Sequence, residues 1–142
     1  MALVTLAQAR AHLRVESDYP AEQIQVYIDG ATEAASRYLN RTIFEDATAR
    51  DAAWAALPAE LKAAQDAFDA EVAAAEAVED ETQKQAMLDV AAVTLAEAKD
   101  AANWKLLGIV STPSVVTAVL LTLGHLFANR EDVVVGATAV EL

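Results

Sequence analysis

The side chains best suited to chemistry in this chain are two histidines and a set of carboxylates. His12 lies between Arg10 and Arg14 in a short helical stretch, and His125 lies inside an apolar one. Neither belongs to an H-E-x-x-H pair or to any other paired histidine motif with metal-ligand spacing. Imidazole changes charge near neutral pH, so a proton switch is conceivable at either position. For His125, the apolar surroundings predict a buried, hydrogen-bonded structural role. Asp66, Asp69, Glu71, Glu76, Glu79, Asp80 and Glu81 could work in pairs as acids and bases, but only in a cleft that shifts their titration. They fall on an alanine-rich polar stretch, where a solvated face is expected. No G-x-S-x-G, G-x-x-x-x-G-K or G-x-G-x-x-G occurs, and 4 glycines leave little room for a phosphate-cradling loop. No catalytic, cofactor or metal site is assigned, and the chain is read as a non-enzyme.

Composition sets the frame for these residues. The 142 residues suit one domain with an appendage. The apolar share is 55%, but much of it is alanine, which favours helix and buries little area. The formal charge of −12 repels nucleic-acid phosphate and lacks a DNA binder's basic footprint. With no cysteine, disulfides and thiolate metal sites are excluded. Met1-Ala2-Leu3-Val4-Thr5 has no basic region leading into an apolar core, so no signal peptide is expected there.

The elements that must position these groups are helical. Thr5-Leu6-Ala7-Gln8 fits a capping box and opens a helix ending near Arg14-Val15. After a loop at 16–20, a second helix is predicted over 21–39. Its stripe holds Ile24, Tyr27, Ile28, Ala31, Ala35, Tyr38 and Leu39. Gly30, inside it, suggests close approach by another helix. A short extended piece follows at 42–44. Thr48 or Asp51 then caps a brief helix through Trp54 and Leu57, which Pro58 interrupts. From 59 to 102 the pattern predicts an antiparallel αα-hairpin, with one long broken helix as the rival. One seam holds Leu61, Ala64, Phe68, Val72 and Ala75, and the other Leu88, Ala91, Leu95, Ala98 and Ala102. Glu79-Asp80-Glu81 marks the bend, with Thr82 and Gln85 as a second capping box. Trp54 and Trp104 flank the hairpin and are expected to pack at its base. Gly108 suits the position just past a helix.

The closing segment stands apart. Thr112-Pro113 is a helix start, and residues 115–127 are apolar on nearly every face. Such a helix must be enclosed by its own domain, by partner subunits or by lipid. At 16 residues, from 113 to 128, it falls short of the roughly 20 that a bilayer needs, so no membrane span is assigned. The polar run Asn129-Arg130-Glu131-Asp132 ends it, and residues 133–142 read as extended chain. The predicted fold class is all-α: a small helical bundle with a long αα-hairpin insertion and an extended C-terminal arm. One domain is expected over 1–142, with a helical core at 5–45 and 109–130, the insertion at about 51–104 and the arm at 131–142.

Three segments carry a resemblance. They are Leu6-Ala7-Gln8-Ala9-Arg10-Ala11-His12-Leu13-Arg14-Val15, the stretch 24–43 ending Tyr38-Leu39-Asn40-Arg41-Thr42-Ile43, and the close with Leu123-Gly124-His125-Leu126-Phe127-Ala128-Asn129-Arg130-Glu131 then Val133-Val134-Val135-Gly136. Together they resemble the gp6-like head–tail connector (adaptor) proteins of tailed bacteriophages. The alanine-rich hairpin between them looks like a variable insertion. The resemblance implies a structural virion protein of the neck, made in the host cytoplasm. It implies a dodecameric ring of this chain under the portal protein that extends the DNA channel. The ring would also offer a docking platform to a stopper or tail-completion protein. Genomic DNA would pass without specific binding, past a wall whose acidic charge does not hold it.

Relatives grip the portal with their C-terminal segment, which maps here onto Arg130, Val133, Val134, Val135, Ala137, Val140 and Leu142. They usually continue past the equivalent of Val140-Glu141-Leu142, so the end here looks short: either the arm is trimmed or the sequence stops early. Core or ring packing is assigned to Ile24, Tyr27, Ile28, Tyr38, Val116, Leu120, Leu123 and Phe127. The alternative reading is a helical protein-interaction module that binds a partner with its alanine-rich hairpin. A small enzyme using the acidic residues is the third.

Overall fold

The computed structural model describes residues 3–129. These are 78% helical, in five helices with almost no strand, which makes the protein all-α. The helices are α1 (Leu6–Leu13), α2 (Ala21–Leu39), α3 (Ala47–Glu76), α4 (Glu81–Leu106) and α5 (Pro113–Ala128). Two-residue strands β1 (Ile43–Phe44) and β2 (Ile109–Val110) precede α3 and follow α4. The chain divides into two compact units. One is the stretch Leu39–Ser111, and the other joins the helices before and after it.

The outer helices form the unit with the larger buried side chains. Thr5 caps α1 in a full capping box with Gln8, and Arg14 closes it in the left-handed conformation at φ 54°. Thr112 caps α5, with Pro113 in its first turn. Val4, Ala9, Ile24, Ile28, Ala31, Val119 and Leu123 are buried together. Ile24, Ile28, Ala31 and Ala35 recur at spacings of three and four, so α2 turns one stripe inward. The core is thus built by α1, α2 and α5.

The stretch Leu39–Ser111 is a helical hairpin closed at its foot. β1 and β2 pair in parallel, Ile43 opposite Ile109 and Phe44 opposite Val110. Parallel strands need a long crossover, and here the entire hairpin is that crossover. Thr42 N donates to Trp104 O, Ile109 N to Thr42 O and Ser111 N to Phe44 O, so the foot is tied by backbone bonds. Trp54 Nε1 donates to Lys105 O at 2.9 Å, and Lys105 Nζ meets Glu60 Oε2 at 2.7 Å. The tryptophans therefore act separately: Trp54 lies against the Arg50 guanidinium at 4.7 Å, while Trp104 contributes its carbonyl.

Several local expectations need correction. Pro58 does not end a helix, because α3 runs through it from its cap at Asp46. An interior proline costs about 3 kcal/mol. Contacts on both sides of it, Trp54 and buried Leu57 before and Glu60 after, hold the helix to its partner and offset that cost. The cap of α4 is Asp80, whose carboxylate accepts from Gln83 N at 2.7 Å, and not Thr82. Gly108 does stand just past α4, as expected, but without positive φ. Its role is steric: a Cβ there would run into the Phe44 ring and stand 2.8 Å from Lys105 O. Gly30 shows the reverse, since a Cβ would meet only Leu126 Cδ1 at an ordinary 3.8 Å.

Candidate functional site

With no enzyme-like cleft assigned, the candidate surfaces are those where apolar side chains remain in water. α5 carries no Asp, Glu, Lys or Arg over its 16 residues. Val119 and Leu123 face the core, and Val116 and Leu120 pack against it. The opposite stripe, Ser114, Thr117, Ala118, Leu121, His125 and Ala128, is exposed. Leu121 is 63% exposed, so the described residues do not enclose this helix on every side. Thr117 and Thr122 return their hydroxyls to the carbonyls of Pro113 and Ala118, which quiets their polarity.

His125 is correspondingly exposed rather than buried. Its Nδ1 lies 3.2 Å from Asn129 Nδ2, and its carbonyl accepts from both Asn129 nitrogens, so the pair caps the end of α5. His12 lies against α5 from outside: a Cβ at Gly124 would stand 3.1 Å from its Nε2. Gly124 therefore lets α1 and α5 approach closely, the role that the sequence suggested for Gly30.

The residues assigned to core or ring packing separate by place. Ile24, Ile28 and Leu123 are buried, and Val116, Leu120 and Tyr27 pack against them. Phe127 meets Tyr19 and Tyr27 edge-on, each at 5.6 Å between ring centroids. Tyr38 is 88% exposed. The α2 stripe turns away from the core before reaching it, so Tyr38 takes no part in that core. Arg130, Val133, Val134, Val135, Ala137, Val140 and Leu142 lie outside the described residues.

A second apolar surface lies on the hairpin. α3 and α4 share a groove of about 280 Å³ whose lining includes Ala64, Phe68, Glu71, Val90, Thr94 and Leu95. Of the two seams, only Ala75, Ala91 and Ala102 are fully buried, and Leu61 is 38% exposed. Sequence periodicity located the seam but not its openness, because two alanine-lined helices cannot cover each other on all sides. The acidic residues Asp66, Asp69, Glu71, Glu76, Glu79, Asp80 and Glu81 are all exposed. Among the described residues no group of three or more His, Asp or Glu side chains could hold a metal ion, and no helix is long and apolar enough to cross a membrane.

No curated protein and no solved structure matches the chain. A family match does exist, over residues 3–105, and it runs through the hairpin and stops short of α5. It therefore includes the segment taken from sequence as a non-diagnostic insertion, and leaves out the closing helix. The family is structural rather than enzymatic, is located in the virion neck and interacts with other head and tail proteins. The chain belongs to the phage gp6-like head-tail connector protein family.

Proposed function

We propose that this connector works as a dodecameric ring of its own copies beneath the portal protein, extending the DNA channel and presenting a docking platform to the stopper or tail-completion protein. The observation that carries ring formation is the uncharged outer face of α5, with Leu121 63% exposed on a chain of net charge −12. Like-charged subunits approach most easily where no charge stands between them, and burying Leu121 adds apolar stabilisation. Tyr38 and Val26, 88% and 69% exposed, are further candidates for the neighbour-facing surface. The arm at residues 131–142 grips the portal, as an extended segment that adds backbone hydrogen bonds to a partner. DNA passes the acidic channel wall without specific binding. The subunit is made in the host cytoplasm and ends in the virion neck.

The test is mass measurement of the protein with and without portal. Leu121→Asp is expected to fold normally, because the site is in water, yet to abolish ring assembly. Removal of residues 133–142 is expected to leave the fold intact and weaken portal attachment. A chain that neither binds portal nor occurs in the assembled neck overturns the proposal.

A further inference from the structure

We infer that His125 makes the contact between neighbouring copies pH-sensitive: the outer face of α5 docks with a neutral imidazole and lets go when that ring is charged. The inference rests on the ring reading above and adds a control to it. α5 carries no Asp, Glu, Lys or Arg, so His125 is its one titratable side chain. It lies on the exposed stripe, four residues after Leu121 and thus one turn along the same face. A neighbour that covers Leu121 therefore takes the imidazole out of water as well. Burial disfavours the charged form, and Ser114, Thr117, Ala118, Leu121 and Ala128, which share the stripe, offer no counter-charge.

The groups on the helices packed beside α5 are otherwise engaged. From α1, His12 lies against Gly124, where a Cβ would stand 3.1 Å from its Nε2. From α2, Gly30 approaches Leu126; near it in the helix Asp29 accepts from Gln25 at 2.8 Å, and Glu33 is paired with Arg37 at 2.7 Å. Tyr19 and Tyr27 turn their rings to Phe127. His125 itself meets uncharged Asn129 and makes no ion pair among the described residues. Arg130, Glu131 and Asp132 follow in the sequence. The docked face thus holds fewer protons than the free one. Association therefore strengthens as pH rises through the range where imidazole titrates, and weakens as pH falls through it. Net charge predicts the reverse. Acid brings a chain of charge −12 and pI about 4.4 toward neutrality and relieves repulsion between copies. The sign of the pH dependence separates the two effects.

Mass measurement of the whole chain with portal protein, from about pH 5.5 to about pH 8, tests this. In the acid half of that range the association constant at each contact is expected to fall by up to about tenfold per pH unit, the limit for one proton. His125→Gln should remove the fall and assemble in acid as the parent chain does at the alkaline end. His12→Gln should keep it. His125→Lys should assemble poorly at every pH, with unchanged circular dichroism because the position is exposed. The portal's own response to pH is common to all these chains, so the differences between them report His125. Matching pH profiles for the parent chain and His125→Gln overturn the inference. So does stronger assembly of the parent chain in acid, which would mean that the neighbour presents a carboxylate to the ring. Those two results leave the ring reading standing, whereas absence of assembly at every pH overturns both.

Discussion

The two units of the molecule keep their shape by different means. In the unit of α1, α2 and α5, Ile24, Ile28, Val119 and Leu123 are at most 1% exposed, and the aromatic trio Tyr19, Tyr27 and Phe127 closes over one side. In the hairpin, the fully buried apolar side chains of α3 and α4 are Leu57 and three alanines. Little area leaves water there, so burial contributes less per residue. Helix propensity, the Asp46 and Asp80 caps and the tied foot supply the difference. A unit held by its interior is sensitive to what is deleted inside it. A unit held by its ends is sensitive to those ends, and leaves its sides free for partners.

Truncation of a large core residue should draw the contrast most sharply. Leu123→Ala is expected to cost about 2–5 kcal/mol, read as lost amide protection in α1, α2 and α5 by hydrogen exchange. Equal loss of protection in α3 and α4 would break the contrast. Gly108→Ala should come next, at about 1–3 kcal/mol, because the new methyl meets Phe44 and the Lys105 carbonyl. Its loss of protection should centre on the hairpin's foot, and an unchanged foot would remove the steric role of the glycine. Asp80→Ala should cost about 1 kcal/mol, exposed as fraying at the start of α4. Smallest, and opposite in sign, Gly30→Ala should stabilise α2 by about 0.5–1 kcal/mol, since its Cβ finds ordinary contact. A destabilised Gly30→Ala in thermal denaturation would restore the close-approach reading of that glycine.

The same contrast explains what could be foreseen from the residues. Thr5 with Gln8, and Thr112 with Pro113, announce helix starts because capping is decided within four residues. The α2 stripe and both hairpin seams follow from periodicity for the same local reason. Pro58 misled because the contacts that offset it come from Lys105, 47 positions later. Thr82 and Asp80 compete for one cap only two residues apart, and the sequence offers no local signal strong enough to choose between them. The β1–β2 pairing was out of reach, as two-residue strands carry no alternation to detect. Tyr38 fits the spacing of its stripe, yet the core ends before it. His125 lies on a helix apolar all round, where periodicity gives no direction, so the exposed face of α5 became visible only once Val119 and Leu123 were placed. The groove escaped notice because openness is a property of two helices together.

The clamp between β1 and β2 makes the hairpin's reach an independent dimension of the molecule. Helices of 30 and 26 residues extend about 45 and 39 Å from a foot whose entry and exit are pinned side by side. Inserting or deleting one matched turn in each would move the tip by about 5.4 Å and leave the pinned ends where they are. The clamp makes the hairpin a ruler whose zero mark is fixed, so its length can be tuned to whatever the tip must meet without renegotiating the rest of the chain.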